Sequence, residues 1–299
     1  MAVARQLSPV PGHRMTRHLR LAAPEGFSLW ATVRSHGWSD LPPFDTDRTG
    51  HTLRIRLGSA TATVTQEKGA LRLALASERP LGAAARRAAV ATVRSCLRLD
   101  LDLDRFHRMC RRDPDLAWAA RAGAGRFLRA PLAFQDAVMT LATTNCSWAL
   151  TRRITSTLAE RYGENGTLPT AKRLCRVRPA ELRRASLGYR APYLAALARG
   201  RDLEGLRTDP RPTAEIRRSL LDLPGFGPYA AENMLRLLGR FEHLALDSWV
   251  LREWKEQYGR ATERAILRRV EPFGEWKGLA FWLLVTAPWY RREVWRDGF

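Results

Sequence analysis

Apolar and polar residues alternate with a period of two along five segments near the N-terminus: RHLRLAA from Arg17, FSLWATV from Phe27, HTLRIRL from His51, ATATVTQ from Ala60 and LRLALAS from Leu71. Successive side chains of a strand point to opposite faces, so this alternation predicts strands with one buried and one wet face, and the Gly, Pro and Asp residues between them predict turns. An antiparallel sheet fits the pattern. Beyond Pro80 the period changes. AAARRAAVATVRSCLRL, from Ala83, carries apolar residues at helical spacing, and nearly everything after it reads as short helices broken by Gly, Pro or Asn. The predicted helices lie near 84–97, 103–111, 133–145, 147–163, 190–199, 212–222, 228–239, 247–257, 260–271 and 275–287. The expected fold class is α+β: a basic flexible tail over 1–15, an antiparallel β-sheet domain over 16–80 and an all-helical domain over 81–299.

Composition narrows the function classes. No stretch approaches the roughly 18 consecutive apolar residues that cross a bilayer, and the first residues lack the apolar block of a secretory signal, so no membrane association and a cytoplasmic, nucleoid-associated location are expected. Cys96, Cys110, Cys146 and Cys175 form no C-x-x-C pair and read as reduced thiols, with no metal framework. The formal net charge is +20, an excess expected to be solvated and to meet a polyanion, nucleic acid first. All but Lys68, Lys172, Lys255 and Lys277 of the 50 basic residues are arginine, a bias that codon composition also produces.

The candidate chemistry lies in LPGFGPYAAENMLRLLGRFEHLALDSW, from Leu223 to Trp249. Pro224 stops one helix, Gly225 and Gly227 permit a tight reversal, and Pro228 suits the first position of the next helix. Such a hairpin presents unpaired backbone N–H groups at a helix N-terminus, with no side chain on either glycine to keep a phosphate away. An ordinary turn between helices has the same residues. Asp247 precedes the helix begun by Ser248 and Trp249 and reads as an N-cap. The same placement keeps a carboxylate ionised, as a group that stabilises developing positive charge must be.

The combination of hairpin, following helix and Asp247 resembles the signature of the helix-hairpin-helix DNA glycosylases, which excise damaged bases. The resemblance covers roughly 20–290 and is strongest over 131–290: APLAFQDAVMTLATTNCSWALTRRITSTLAERYGE is similar to the first helices of that fold, LGYRAPYLAALA to a segment of the 8-oxoguanine enzymes, and EPFGEWKGLAFWLL to the closing helix. The 8-oxoguanine and alkylpurine members also carry a small antiparallel sheet before the helical domain. The resemblance implies that Asp247 is catalytic and that Leu223, Gly225, Gly227 and Tyr229 belong to a hairpin that grips phosphates. It further implies that Asn145 fills the gap left by an extruded base and that Tyr189, with Arg190 beside it, wedges into the stack. Trp282, with Trp249 and Trp38, is the implied wall of the base pocket. Tyr189 as a surface tyrosine and Asn145 as a helix-end residue are the plainer readings.

Departures from the family matter as much. Members that also cut the backbone carry lysine two residues after the second hairpin glycine, where this chain has Tyr229, and tyrosine forms no imine. The glutamine that reads 8-oxoguanine falls at Gly278, and the arginine that reads the opposite cytosine falls at Leu150. No cysteine follows Cys175, so the iron–sulfur cluster of some members has no ligands, and no cofactor is expected. An aromatic pocket favours cationic bases. The expectation is therefore a monofunctional, monomeric DNA glycosylase of base excision repair, acting on double-stranded DNA that contains a damaged, alkylated purine and leaving an abasic site. An oxidised-purine glycosylase and a non-catalytic binder of bent or damaged DNA are the alternatives.

Overall fold

The computed structural model describes residues 15–291 apart from positions 48, 50, 68, 260 and 261, so nearly all of the expected basic tail lies outside the described residues. Met15, its last member, opens the first strand. Strands β1 (Met15–Ala22), β2 (Phe44–Thr46), β3 (Thr52–Arg56), β4 (Ala60–Glu67) and β5 (Ala70–Ser77) form one antiparallel sheet in the order β1-β5-β4-β3-β2. Val64 pairs with Leu73, Ala62 with Leu75 and Leu53 with Val64, so the apolar positions of three strands share one buried face. A one-residue slip would turn all of them to solvent.

The segment FSLWATV is a correction: it forms helix α1 (Leu29–Val33), not a strand. The Ser28 hydroxyl accepts the Ala31 N–H at 3.1 Å, as an N-cap does. Gln66 on β4 completes the turn, its Oε1 accepting the Leu29 N–H at 2.6 Å and its Nε2 donating to the Phe27 carbonyl at 2.8 Å. A side chain distant in sequence thus overrides local alternation. The three residues of β2 carry too short a pattern to be foreseen.

Helices α2 (Ala83–Cys96), α3 (Asp104–Arg111), α4 (Ala117–Ala122), α5 (Ala133–Thr143), α6 (Trp148–Tyr162), α7 (Ala171–Leu174) and α8 (Pro179–Leu182) follow the sheet. Then come α9 (Ala191–Arg199), α10 (Thr213–Leu221), α11 (Pro228–Leu238), α12 (Ser248–Tyr258), α13 (Glu263–Val270) and α14 (Lys277–Tyr290). The helices expected from periodicity are present, whereas α4, α7 and α8 span six residues or fewer and show no repeat. No described helix is long and apolar enough to cross a membrane.

The core runs without a break from the sheet into the helices. At its centre α14 is buried along nearly all its length. Its Trp282 Nε1 donates to the Ser35 carbonyl at 2.7 Å and its Tyr290 ring meets Trp30 edge-on at 5.8 Å, so α14 fixes the segment after α1 against the helical part. Some of the arginines are not at the surface. Arg34, Arg98, Arg126, Arg129, Arg190 and Arg236 are buried. Most of them donate to backbone carbonyls in loops or in the last turn of a helix: Arg98 to Leu237 of α11, Arg126 to Leu101 at 2.8 Å and Arg129 to Ser95 of α2 at 2.9 Å. Such charge-assisted bonds hold irregular backbone in place where an apolar side chain cannot.

Candidate active site

Leu220 and Leu223 close α10 into the core, and the Phe226 N–H donates to the Leu223 carbonyl at 3.0 Å to form the turn into α11. Gly225 has φ of 78°, and a Cβ there would lie 2.8 Å from the Tyr193 ring, so backbone and packing both demand glycine. Gly227 is different. Its φ is −97° and a Cβ would meet nothing within 4 Å, so the space above it is open. The N–H groups of Gly225, Gly227 and Tyr229 find no acceptor among the described residues. The α11 N-terminus is thus an exposed set of donors suited to an anion.

Asp247 is the N-cap of α12, its Oδ1 accepting the Val250 N–H at 2.8 Å. Its carboxylate also borders two hollows. One is a groove of about 790 Å³ lined by Asn145, Tyr189, Tyr193, Gly225, Gly227 and Tyr229. The other is a pocket of about 390 Å³ lined by His36, Trp38, Asn233, Arg236, Trp249 and Trp282. Thr143, Cys146, Tyr229, Asp247 and Trp249 belong to both, so the carboxylate stands where pocket opens into groove.

Two irregular loops form the far wall of the groove. Asn145, with φ of 47°, is turned out of helical geometry two residues past the end of α5, and its side chain is exposed. Tyr189 follows Gly188, whose φ is 53°, and is 53% exposed. Arg190 joins the loops. It is buried, donates to the carbonyls of Thr144 and Asn145, and lies under the Tyr189 ring with Cζ 4.5 Å from the centroid. Of the residues expected at DNA, Arg190 and Leu223 therefore line neither hollow; they support Asn145, Tyr189 and the hairpin from behind.

The pocket wall differs from an open aromatic box. Trp38 sits on the 3-10 turn Gly37–Asp40 and is held by its Nε1, which donates to Asp136 Oδ1 at 3.1 Å. Arg207 pairs with the other oxygen of Asp136 at 3.1 Å. The Arg236 guanidinium lies over Trp282, with Cζ 4.0 Å from the ring centroid, and 5.3 Å from that of Phe127. Burial pulls its pKa down to about 10, which leaves it a cation at neutral pH. Its only hydrogen-bond acceptor among the described residues is Asn233 Oδ1. His36 stacks on Trp38 at 4.7 Å. Burial, reinforced by the Arg236 charge, holds its pKa well below the usual value, so the ring is neutral. Its Nε2 is buried and has no partner. An unmet buried polar atom costs about 1–3 kcal/mol, so this one calls for an explanation.

Tyr229, Asn233 and Arg236 succeed one another at i, i+4 and i+7 on α11, one face of the helix, and this spacing was the available signal for the latter two. His36 had no such signal. Asn233 Nδ2 donates to the Tyr229 carbonyl at 3.0 Å, and burial followed by the Asp247 charge raises the pKa of the Tyr229 hydroxyl. At Gly278 a Cβ would run into the His243 carbonyl and lie 2.7 Å from that of Phe241, so the position has no room for any side chain. Among the described residues no group of three His, Cys, Asp or Glu side chains is placed to hold a metal ion.

No family sequence model and no curated protein sequence matches the chain. Solved structures do. The 3-methyladenine DNA glycosylase of Archaeoglobus fulgidus superposes with a TM-score of 0.74 over 91% of this chain and 99% of its own, at 16% identity. The 8-oxoguanine glycosylase/lyase of Clostridium acetobutylicum, bound to double-stranded DNA containing cytosine opposite 8-oxoguanine, superposes with a TM-score of 0.71 over 94% of this chain and 100% of its own, also at 16% identity. With its antiparallel sheet ahead of the helices and its hairpin leading to Asp247, the chain has the fold of the helix-hairpin-helix DNA glycosylases.

Proposed function

We propose that the protein is a monofunctional DNA glycosylase that hydrolyses the N-glycosidic bond of a damaged base in double-stranded DNA. The observation that carries this reading is the place of Asp247, an ionisable group on the wall shared by an aromatic pocket and the groove that the hairpin borders. A base turned out of the duplex enters the pocket, while the hairpin N–H groups hold a phosphate in the groove without reading sequence. The sugar is then left at the junction. There the carboxylate stabilises the oxocarbenium character of the breaking bond and takes a proton from the attacking water. All of these groups come from one chain, which supports action as a monomer.

Hydrolysis alone is supported by Tyr229. Its half-buried phenol has a raised pKa and forms no imine, and among the described residues no lysine lines pocket or groove. The relatives include 3-methyladenine and 8-oxoguanine enzymes alike, so likeness of fold does not choose the lesion. An alkylated, cationic purine would need free aromatic faces, and Arg236 over Trp282 with His36 over Trp38 weighs against it.

The test is base release from duplexes carrying hypoxanthine, 8-oxoguanine, uracil or 7-methylguanine, by wild type and Asp247→Asn. Loss of release in the variant, with duplex binding retained, is expected. Undiminished release would refute the role of Asp247, and tight, salt-dependent binding with no release from any duplex would make the protein a binder of bent or damaged DNA.

A further inference from the structure

Two side chains of the pocket wall carry nitrogen atoms that lack hydrogen-bond partners among the described residues. One is the Arg236 guanidinium, which has five N–H groups and, among the described residues, only Asn233 Oδ1 as an acceptor. The other is His36. The Ser35 hydroxyl oxygen accepts the Leu128 N–H at 3.1 Å and lies 3.0 Å from His36 Nδ1, its only other partner. Donation from this hydroxyl to Nδ1 puts the ring hydrogen on Nε2 and leaves one polar atom unpaired, whereas the other tautomer leaves both the hydroxyl hydrogen and Nε2 unpaired, so hydrogen-bond satisfaction favours Nε2–H. That Nε2–H is buried and unpartnered in a side chain only 9% exposed. Asp247 and Tyr229 stand at the mouth, on the sugar side. The inner wall carries a positive charge and donors.

Resting on the glycosylase reading, we propose that Arg236 and His36 select a lesion base that is uncharged in DNA and bears carbonyl acceptors, a lactam such as hypoxanthine or 8-oxoguanine, and hold it as it leaves as an anion. When the C1′–N bond of such a base breaks, the electron pair departs with the nitrogen and the base becomes negative. The guanidinium and the imidazole N–H then meet growing charge on the base, as Asp247 meets growing positive charge on the sugar. Water adds its oxygen to C1′, its proton passes to Asp247 and on to solvent, and the base anion takes up a proton from solvent. The products are the neutral base and an abasic sugar. A purine cationic through alkylation behaves in the opposite way. It enters beside a fixed cation and departs neutral, so it gains nothing from either donor. Charge complementarity at Arg236 thus discriminates through repulsion as well as attraction.

Single-turnover base release tests this, with duplexes containing hypoxanthine, 8-oxoguanine or 7-methylguanine and with wild type, Arg236→Gln, Arg236→Lys and His36→Phe. Wild type is expected to release a lactam base faster than 7-methylguanine. Arg236→Gln should slow lactam release on the order of a hundredfold while leaving 7-methylguanine release unchanged or faster, and Arg236→Lys should retain most of the preference. His36→Phe keeps the stack on Trp38 and should slow lactam release alone. Faster release of 7-methylguanine by wild type, dependent on Asp247, would overturn the proposal and leave the glycosylase reading standing. Equal loss on all bases in folded Arg236→Gln and His36→Phe would make both residues structural and also overturn it. Release from no duplex would remove both readings together.

Discussion

Substitution separates the capping role of Asp247 from its proposed role in base release. Asparagine caps a helix about as well as aspartate, so Asp247→Asn should change unfolding stability by only about 0.5 kcal/mol or less while base release is lost. Thermal or urea unfolding beside the release assay checks this, and a large loss of stability would mean that the lost activity reports structure. The two hairpin glycines separate in the same way. Gly225→Ala forces a Cβ into the Tyr193 ring at a φ of 78° and should destabilise the protein by about 1–3 kcal/mol. Gly227→Ala meets open space, so the free protein should fold normally. Its methyl group stands where a phosphate would approach, and duplex affinity should fall. Normal affinity in Gly227→Ala would argue that the hairpin does not touch DNA.

At the scale of elements, the groove depends on two loops that are not self-supporting. The α5–α6 loop carries Asn145 in the left-handed region and the α8–α9 loop carries Tyr189, and the buried Arg190 binds one to the other. Arg190→Met removes the guanidinium donor from the Thr144 and Asn145 carbonyls, leaving Thr144 only the Tyr189 hydroxyl at 3.4 Å, and should cost about 2–3 kcal/mol. Tyr189→Ala removes an exposed ring, so stability should stay within about 0.5 kcal/mol while lesion-duplex binding and base release weaken. Unfolding curves for both variants, read beside duplex affinity, distinguish the support from the wedge. If Tyr189→Ala binds and releases as wild type does, the ring has no part in extrusion.

Across the whole molecule, sheet, central helix and pocket are held as one by buried polar groups. Asp136 binds the Trp38 indole, the Ala130 N–H at 2.7 Å and Arg207, and burial raises its pKa to about 6 from the ordinary 3.8. Between those values the folded state binds more protons than the unfolded state, so the contribution of this group to stability is full below pH 3.8 and is lost as pH rises through about 6. The stability of wild type relative to Asp136→Asn should therefore decline from pH 4 to pH 7, and a gap that grows with pH would contradict the raised pKa. Gly278 is set at the same scale. Gly278→Gln, which restores the glutamine of the 8-oxoguanine enzymes, should destabilise the protein and confer no new reading of the base, because the 241–243 backbone already fills that space.

The strands from β3 to β5, the helix limits set by Pro and Gly, the hairpin and the cap at Asp247 were legible because each depends on neighbours within a few residues, where period, φ and capping operate. FSLWATV was misread because Gln66, far along the chain, supplies the contacts that make it a helix. The pocket beside Asp247 was legible as three tryptophans but not as a charged wall. Among so many arginines no local pattern marks Arg236 as buried over Trp282, nor His36 as neutral with an unpartnered Nε2. Burial and hydrogen-bond satisfaction belong to contacts between distant segments. Sequence alone therefore determined the framework and the position of the carboxylate, and only the tertiary structure decided the polarity of the pocket that the carboxylate faces.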